Sequence, residues 1–565
     1  MKINRFSTIA ILLIFCAVNT NYLYAQGNKN EKNKIWRSKL YPENWQPGFS
    51  DSEGRFFHDF SYAGYHSGLK EIPFITKNIL NVTKPPYNAD NTGKKDVTEI
   101  LQKAIDDLSQ KGGGVLYLPS GMYKLSVSDK KKAAIQVTTD NVIIRGDGAD
   151  KTFIKNVTTN MRGKYLIYFY NPKGAWNKPA GKEVLLSHDI SLPTYTIPVE
   201  DVSPFKEDDF VIIKTDLTPA FKEEHRVGAH WDKMNIDRGV YFFRKIVSVD
   251  PQNKTLQIDI PTRYQMKLRD NARVYKAGPQ ISECGIEDLS VGNIENPNPD
   301  GYTEDDWTIE GKGGYDVHAS HMIQFRYVYN CWARNVHTFR PEENKGDIHI
   351  LSNGIRAGES RFVTFKDCNF QKSQYEGGGG NGYMYSLETN ESLITDCHAE
   401  NGRHNYDFKG MKCSGNVIYN CTSKDAYKAT DFHMHLSMAN LIDCFLADDD
   451  CVDANFRPWG TPGARHMYST TQTVIWNTKG MKLHEKGMLI CSRQLGHGYV
   501  IGTSGPADIV VTTPITGTTA GVQYDTSPED WVEGVGKGES LYPQSLYKDQ
   551  FKKRLQRMSS KPKNK

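Results

Sequence analysis

The sequence predicts an all-β solenoid, in which short strands stack coil upon coil. A pair formed by a carboxylate or amide residue and a following cysteine recurs at Asn330-Cys331, Asp367-Cys368, Asp396-Cys397, Asn420-Cys421 and Asp443-Cys444. Successive cysteines of these pairs lie 37, 29, 24 and 23 residues apart, an interval typical of stacked repeat units. The composition agrees, because 48 glycines, 30 tyrosines and 24 phenylalanines among 565 residues suit many short strands and turns better than long helices.

The N-terminus predicts export. Lys2 and Arg5 precede an apolar run at residues 9–18, and a small-residue exit at 24–26 completes the layout of a secretory signal peptide over residues 1–25. No later segment approaches the roughly 20 apolar residues of a membrane span. We therefore expect a secreted or periplasmic protein, and we expect it to be a monomer.

Charge and cysteine content narrow the function classes. The formal net charge of +4 is small for this length, whereas a nucleic-acid-binding protein normally carries a basic surplus or a basic stripe. Nine of the ten cysteines remain once Cys16 leaves with the leader. Their regular spacing favours buried small hydrophobic residues stacked from coil to coil over disulfides.

The mature chain divides into five predicted segments. An aromatic, irregular stretch at 26–85 is expected to wrap the first coils. Residues 86–182 hold a cap helix and the first coils, 183–277 a β-rich insertion, 278–510 the central coils with the active-site cleft, and 511–565 the last coils, a cap and a tail. A short basic helix at 548–558 is expected to form a solvated end.

One amphipathic helix precedes the strands. Residues 97–108 place on one face the apolar side chains of Ile100, Leu101, Ala104, Ile105 and Leu108. Three glycines at 112–114 stop the helix, and residues 115–119 begin a strand. Such a helix is expected to cap the solenoid, since an open end would expose apolar core and unpaired strand edges.

Residues 183–277 interrupt the coil rhythm with strand-like runs at 199–215 and 242–261. The connection between them is polar and carries His225, Arg226, His230, Trp231 and Arg238. Two interpretations stay open. The insertion is either a small β-rich excursion that leans on the solenoid, or a wall over a cleft whose basic and aromatic side chains touch substrate.

Three segments carry a resemblance to a known family. They read Tyr87-Asn88-Ala89-Asp90, then Gly112-Gly113-Gly114-Val115-Leu116-Tyr117-Leu118-Pro119-Ser120-Gly121-Met122-Tyr123, then Val142-Ile143-Ile144-Arg145-Gly146-Asp147-Gly148. In this order the chain resembles pectate-lyase-like proteins with a right-handed parallel β-helix. The resemblance implies coils of three strands each. It leaves the substrate open, because the superfamily includes polysaccharide lyases, glycoside hydrolases, carbohydrate esterases and phage tail spikes.

The alternation of side chains along a strand predicts which residues of the central coils point outward. Side chains alternate along a strand, so the apolar set marks the inward face. At 430–437 the apolar residues Phe432, Met434 and Leu436 point inward. The outward sets of three strands are then Asp431, His433 and His435; Asp453, Asn455 and Arg457; and Asn405, Asp407 and Lys409.

Two earlier strands extend this outward surface, with Tyr383 and Tyr385 on one and Gln324 and Arg326 on the other. Parallel strands stack about 4.8 Å apart, so four or five coils form a surface on the order of 20 Å long. That length suits several sugar units of a chain. Acidic, basic and aromatic groups that converge on one face favour a functional site over an ordinary solvated face.

Our main hypothesis is β-elimination on a uronate-containing, anionic polysaccharide, a reaction that many similar β-helix proteins perform. Such a lyase must neutralise the uronate carboxylate, remove the adjacent proton and protonate the leaving oxygen. Arg457 and Lys409 are candidates for the positive charge, and His433 or His435 for the base. The candidate proton donors are His404, Tyr385 and Tyr383. Further expected substrate contacts are Arg403, Asn405, Arg326, Asn455 and Trp459.

The cofactor is unknown from sequence, although the resemblance makes Ca²⁺ possible. Asp407, Asp431 and Asp453 would form a carboxylate cluster if their coils lie in register. The histidines among them complicate that picture, because Ca²⁺ prefers oxygen ligands. A transition metal held by His433, His435 and an aspartate is a less favoured alternative.

Two other functions stay open. A β-helix glycoside hydrolase would use paired aspartates, and the segments 448–451 and 496–502 loosely resemble the Asp-Asp and Gly-His-Gly segments of polygalacturonase-like hydrolases. About 47 residues separate them, which favours a simple turn at 448–450. A non-catalytic glycan-binding protein would show flat aromatic platforms, to which Tyr383, Tyr385 and Trp459 correspond in part.

Overall fold

The computed structural model describes residues 35–235 and 238–560, so the predicted signal peptide lies outside the described residues. The described chain forms a parallel β-helix in which strands of successive coils pair in parallel. The predicted fold class is thus confirmed. Among the described residues no helix is long and apolar enough to cross a membrane.

Four central coils show the three-strand repeat most clearly. Their strands are Thr364–Lys366, Asn369–Gln371 and Tyr383–Asn390; Leu393–Thr395, His398–Glu400 and His404–Phe408; Val417–Tyr419, Thr422–Lys424 and Thr430–Phe432; and Leu441–Asp443, Leu446–Asp448 and Val452–Ala454. First strands pair with first strands, second with second and third with third. The third strands form the face that carries the candidate site.

The pairs at Asp367, Asp396 and Asn420 mark the turn between the first and second strands of a coil. Asn330 instead precedes the first strand of its coil, because Trp332 pairs with Thr364, and in the fifth pair Cys444 itself has the positive φ of 54°. Asn330, Asp367, Asp396 and Asn420 have φ angles of 50°, 54°, 56° and 52°, a left-handed conformation in which Asn and Asp are enriched. The following cysteine points into the core. The nine cysteines of the described chain have free thiols and eight of them are buried, which confirms the predicted stack of small hydrophobic residues.

The N-terminal coils precede the insertion. Their strands are Ile79–Asn81, Thr92–Asp96, Gly114–Tyr117, Gly121–Leu125, Ala133–Val137, Val142–Arg145, Thr152–Asn156 and Tyr165–Tyr170. The cap helix Thr98–Gln110 buries Leu101, Ala104, Ile105 and Leu108 in the same apolar core as the strands. It therefore covers the apolar end of the solenoid, as its sequence predicts.

The coils resume after the insertion and continue past the central four. The following strands are Ile281–Ser282, Gly285–Asn293, His321–Arg326, Val328–Tyr329, Trp332–Thr338 and Asn353–Arg361. Ser437–Met438 lies between the third and fourth central coils. Beyond the central coils come Phe456–Thr461, Ala464–Tyr468, Thr470–Thr471, Val474–Gly480, Ile490–Ser492, Tyr499–Ser504, Val510–Val511, Thr516–Thr519, Val522–Asp525 and Trp531–Glu533. Short helices are Pro219–Glu224, Gly313–Val317 and Leu546–Ser560, with 3-10 turns at Tyr65–Gly68, Gly228–Trp231, Leu268–Asp270, Asp306–Thr308 and Gly538–Ser540.

The insertion is a six-stranded antiparallel sheet. Its strands are Val184–Leu185, Thr196–Pro198, Phe210–Lys214, Tyr241–Asp250, Thr255–Ile258 and Arg273–Lys276. It docks on the central coils through Glu391, whose carboxylate pairs with Arg244 at 3.0 Å and with Arg263 at 2.8 Å. All three side chains are fully buried, so this ion triad is shielded from solvent.

The N-terminal segment runs lengthwise along the solenoid instead of wrapping its first coils. Tyr41 and Trp45 pack in one apolar cluster with Trp476 of a late coil, and only farther along the chain does Tyr65 pack on Trp332 of an early coil. The prediction for 26–85 is wrong in this respect. Its aromatic residues cover an apolar face that runs the length of the coils.

The C-terminal helix is also packed rather than solvated. Gln550 is fully buried, accepts a hydrogen bond from the Phe60 backbone and donates one to the carbonyl of His58. Its helix therefore closes over the N-terminal segment, and the expectation of a solvated end is wrong. Charged residues of the helix take part in this packing, since Arg554 is 4% exposed and donates to Ser67, and Arg557 pairs with Asp59 at 2.9 Å.

We expect the Glu391→Gln substitution to destabilise the protein strongly, because it leaves two buried guanidinium groups without their counter-ion. Breaking a buried ion pair by removing one partner costs about 3–5 kcal/mol. Thermal and urea unfolding of the full chain measure the loss. The matched control is Asp449→Asn, whose partner Lys482 is exposed, so its cost should stay below about 1 kcal/mol. Equal unfolding curves for the two variants would contradict a stabilising role for Glu391.

Candidate active site

The third strands align one outward residue per coil. Their register places Gln324 beside Arg356, Arg356 beside Ser386, and Ser386 beside Asp407. The same column continues through Asp431 to Asp453. The predicted alignment of Asp407, Asp431 and Asp453 is therefore confirmed, and the column organises the site.

Tyr385 does not belong to this surface. Its ring lies in the solenoid core and stacks on Tyr406 at a centroid distance of 4.9 Å, and its hydroxyl donates to the carbonyl of His398. Strict alternation fails here, because Met384 and Tyr385 both join the core while Tyr383 does not. The prediction that Tyr385 is catalytic is wrong.

Asn405 is likewise a structural residue. Its side chain is fully buried, and its amide nitrogen donates to Ser423 Oγ at 2.8 Å and to the carbonyl of Lys424 at 3.0 Å. These bonds hold the turn that leads into the third strand. The prediction that Asn405 binds substrate is wrong.

A tyrosine and two histidines form the centre of the site. The Tyr383 ring stacks on His404 with centroids 4.9 Å apart, and its hydroxyl lies 3.2 Å from His433 Nε2 and 3.1 Å from Nδ1. His433 Nδ1 also lies 3.2 Å from Asp431 Oδ2. The Asp431 carboxylate thus selects the His433 tautomer with its proton on Nδ1, which leaves Nε2 as the free base.

Burial sets the protonation of these groups. It lowers the pKa of His404 and of His433 well below the ordinary value, and Lys409 lowers the pKa of His433 further. His404 Nδ1 donates to the carbonyl of Ala429 at 2.6 Å. Burial also raises the pKa of Tyr383 well above its ordinary value. At neutral pH the site therefore holds neutral imidazoles and a protonated phenol.

Sequence reasoning missed His466. It lies on the hairpin strand Ala464–Tyr468, with its ring centroid 4.8 Å from that of His433 and 6.3 Å from that of His435. Burial, aided by Arg457, lowers the pKa of His466 to about 3. The hairpin is antiparallel and lies outside the coil repeat, so the alternation of side chains along the coils could not predict His466.

Arg457 supports the site from within. It is only 4% exposed, donates at 2.6 Å to the carbonyls of Phe432 and His433, and pairs with Asp431 at 3.1 Å and Asp453 at 3.3 Å. Arg457 therefore lies beside His433 and Asp431, as predicted. The prediction that it neutralises a substrate carboxylate is wrong, because the two aspartates and two carbonyls already engage its guanidinium.

Lys409 is placed differently. It lines two adjoining cavities of about 320 and 140 Å³, and its Nζ lies 5.6 Å from the centre of the Tyr383 ring. No ion pair or hydrogen bond of its side chain is found within the described part of the chain. Lys409 is thus a cation available to a ligand.

The cavities form one groove along the third strands. A third cavity of about 160 Å³ adjoins the other two, and all three share Arg356 and Glu388, whose side chains pair at 2.9 Å. Neither residue was predicted, because the outward set assigned to the strand of Glu388 was Tyr383 and Tyr385. Met234 and Arg238 of the insertion line the 320 Å³ cavity, so the insertion forms a wall of the groove.

Two predicted basic residues lie at the groove with acidic partners. Arg326 lines the 160 Å³ cavity and pairs with Glu359 at 2.6 Å. Arg403 pairs with Glu304 at 2.7 Å and donates to His404 Nε2 at 3.1 Å. Both are therefore already paired, unlike Lys409.

The other predicted residues are peripheral. His435 lines the 320 Å³ cavity beside Met434. Asn455 accepts a hydrogen bond from Arg493 at 3.0 Å. Trp459 is 53% exposed on the hairpin that carries His466.

The aspartate column does not fit the expected Ca²⁺ site. Asp407, Asp431 and Asp453 each keep one buried oxygen without a hydrogen-bond partner, as a cation site would require. Arg457, however, bridges Asp431 and Asp453, and Lys486 pairs with Asp453 at 2.8 Å. A guanidinium and an ammonium already balance Asp431 and Asp453, while burial and the neighbouring Asp431 raise the pKa of Asp407 well above its ordinary value. The donor set therefore lacks the surplus of free carboxylates that Ca²⁺ needs.

A nitrogen-rich set fits no better. Ligand atoms of His404, Asp431 and His433 lie within 4.8 Å of one another. Both His404 ring nitrogens already have partners, in Ala429 and Arg403. A metal would have to displace these bonds.

The segment that suggested a hydrolase is structural. Asp450 is 1% exposed, and its carboxylate accepts bonds from the side chains of Ser423 and Thr430. Asp449 has a φ of 56° and pairs with Lys482, as expected of a turn. His497 lines a separate cavity.

The described chain is thus a parallel β-helix with a polar groove along one face. The sequence model of the family described as "Rhamnogalacturonase A/epimerase, pectate lyase-like" matches residues 79–190. The resemblance predicted from the sequence is thereby confirmed for the N-terminal coils.

Curated relatives match over short stretches. Alginate lyase 7 of Azotobacter vinelandii is 41% identical over 71 residues, which are 13% of this chain and 8% of that protein. Mannuronan C5-epimerase AlgE3 of the same organism is 35% identical over 86 residues, or 14% and 5%. The chain thus spans less than a tenth of either relative.

Solved structures match over more of the chain at low identity. The tailspike gp61 of Pseudomonas phage phi297 is 10% identical, covers 78% of this chain and 71% of its own, and has a TM-score of 0.42. The tailspike of E. coli bacteriophage HK620, in complex with a pentasaccharide, is 10% identical with coverages of 83% and 65% and a TM-score of 0.43.

We expect metal chelation to leave the protein unchanged, because Arg457 and Lys486 hold the charges that a cation would otherwise balance. The melting temperature is compared before and after treatment with EDTA, and again after Ca²⁺ is added back. A fall on chelation that Ca²⁺ reverses would place a metal at the aspartate column and contradict this assignment.

Proposed function

We propose that the protein cleaves a uronate-containing polysaccharide by β-elimination. The observation that carries the proposal is the position of Lys409, an unpaired cation beside the Tyr383–His433 pair. β-elimination needs a charge to hold the uronate carboxylate, a neutral base and a proton donor. These three requirements correspond to Lys409, His433 and Tyr383.

Lys409 holds the carboxylate of the uronate in the 140 Å³ cavity. A cation preplaced in a half-buried groove stabilises the negative charge that develops when the adjacent proton leaves. Arg356 lines the same cavity, but Glu388 partly offsets its charge. The substrate carboxylate therefore binds nearest to Lys409.

Proton transfer then uses the His433–Tyr383 contact. His433 Nε2 takes the C5 proton, the electron pair forms the C4–C5 double bond, and the C4–O bond breaks. Tyr383 gives its proton to the departing oxygen. The proton on Nε2 crosses the 3.2 Å separation to the Tyr383 oxygen, which restores both groups.

The relatives support a uronate substrate. Alginate lyase 7 and the mannuronan C5-epimerases are named for action on uronate polymers. Removal of the C5 proton is the shared first step, so C5 epimerisation is the second candidate function. In that reaction the proton returns from the opposite face and the chain stays intact.

The deciding experiment incubates the full chain with polymannuronate, polyguluronate and polygalacturonate in D₂O. Elimination produces the ultraviolet absorbance of an unsaturated uronate together with chain shortening. Deuterium at C5 without shortening would indicate epimerisation. New reducing ends without the absorbance would reject both in favour of hydrolysis.

The Lys409→Met substitution should lower kcat/KM by about 10²–10³-fold, the usual cost of losing one preorganised charge-stabilising group. The matched control is Lys428→Met. Lys428 lies over the ring of Tyr427 and lines none of the three cavities. Comparable melting temperatures for both variants show that folding is intact, and equal activities would remove Lys409 from the mechanism.

The pH profile of kcat/KM should reflect the lowered pKa of His433. Because burial lowers the pKa of His433, the base stays neutral as the pH falls and protonates only below the ordinary value of about 6.5. We expect kcat/KM to stay level down to about pH 6.5 and to fall only at lower pH. An acid limb at higher pH would exclude His433 as the base.

A further inference from the structure

We infer that this protein acts on the ends of polysaccharide chains and that the hairpin at residues 456–468 closes one end of its groove. The inference rests on the proposed function, since it concerns the same groove, and it adds the mode of cutting. Four sets of contacts support it.

The N-terminal end of the groove lies among aromatic and basic side chains. The 160 Å³ cavity there is lined by Tyr165, Gln324 and Arg326. Next to it the rings of Tyr168 and Tyr170 stack 4.0 Å apart, and Tyr168 is in register with Gln324. Aromatic rings beside an arginine suit sugar rings that carry carboxylates.

Toward the C-terminal end, the outward column passes from residues that line the groove to residues that do not. Arg356, Ser386 and Asp407 line the cavities, whereas Asp431 and Asp453 line none of the three. Arg457 and Lys486 occupy the space beside those two aspartates. The groove therefore reaches Met434 and His435 in the coil of Asp431, and the protein's own side chains fill the column beyond that coil.

A hairpin seals that end. Its strands Phe456–Thr461 and Ala464–Tyr468 are antiparallel, and the second lies over the preceding coil, where the backbone nitrogen of His435 donates to the carbonyl of His466 at 3.3 Å. The His466 ring meets His433 at 4.8 Å. The hairpin thus covers the far side of the reactive histidine.

The insertion braces the hairpin. Trp231 Nε1 donates to the carbonyl of Arg465 at 2.8 Å, and the backbone nitrogen of Lys233 donates to the carbonyl of Gly463 at 3.0 Å. A hairpin held from two sides forms a fixed wall.

This geometry determines how a chain is cut. Tyr383 and His433 lie at the closed end, and the binding surface extends from them in one direction only. A chain enters by its end, and the bond that breaks lies within a few sugars of that end. An open groove would accept any internal linkage.

The test follows the three uronate polymers, with solution viscosity and unsaturated product recorded together. We expect short unsaturated products from the first minutes, with viscosity falling slowly. An early collapse of viscosity with long oligosaccharides would overturn end-directed cutting while leaving β-elimination intact. Absence of unsaturated product from all three polymers would instead reject the proposed function.

A binding measurement keeps the inference testable without turnover. Equal masses of long and short polymannuronate chains are titrated against the protein, with tryptophan fluorescence as the readout. A closed groove binds in proportion to the number of chain ends, so short chains saturate it at severalfold lower mass. Saturation that depends on total mass alone, or no binding to any of the polymers, would overturn the inference.

Replacing residues 459–463 with a two-residue Asn-Gly turn opens the wall while preserving a hairpin connection. We expect the ratio of viscosity loss to unsaturated product to rise severalfold, since internal linkages can then reach His433. The control is Tyr542→Ala, because Tyr542 is equally exposed and stacks with Arg37 away from the groove. An unchanged ratio in the shortened variant, at an unchanged melting temperature, would contradict the role of the hairpin.

Discussion

In-register stacking of parallel strands is the constraint on which the rest of this structure depends. Each coil returns to the same place, so the residue chosen at one outward position stands directly beside its counterparts above and below. At Asp407, Asp431 and Asp453 this repetition concentrates three carboxylates in a buried column. Such a column is tolerable only if cations enter it, and Arg457 and Lys486 do so. The cations that neutralise Asp431 and Asp453 therefore occupy the space at which we infer that the groove ends.

The buried environment then sets the chemistry of the neighbours. Burial lowers the pKa of His404, His433 and His466 and raises the pKa of Tyr383, because charged forms lose hydration in a cleft with little water. Proximity to Lys409 lowers the His433 pKa further. A cluster that would repel itself if protonated is thus held as neutral imidazoles next to one free ammonium. That combination keeps the base that we propose apart from the cation that we propose binds the substrate.

The sequence allowed the fold and part of the site to be predicted, because both follow from periodicity. Asp or Asn before cysteine marks the left-handed turn of three central coils, so the coil spacing could be read there, and alternation then placed Asp407, Asp431 and His433 on one face. Prediction failed wherever the chain leaves strict alternation. Tyr385 follows an irregularity in its strand, and His466 belongs to an antiparallel hairpin.

Residues that are outward on a strand can still be internal to the protein, and this explains the remaining errors. Arg457 leaves the coil as expected, yet carbonyls and carboxylates of the preceding coil engage it. The N-terminal segment shows the same effect on a larger scale. Its aromatic residues bind an apolar column that includes Leu393, Val417 and Leu441, which parity alone would leave exposed. Long-range partners of this kind decide whether an outward residue meets solvent, and no local pattern records them.

The two covered faces explain why the chemistry sits on the third strands. The first strands present that apolar column to the N-terminal segment and the C-terminal helix. The third strands present polar side chains, and the insertion covers them from one side only, anchored by Arg244 and Arg263 on Glu391. Because every coil of a solenoid has the same backbone geometry, the shape of a site on one face is set by the segments that cover that face. Here the insertion turns a uniform polar ladder into a groove, and we infer that the hairpin closes one end of it.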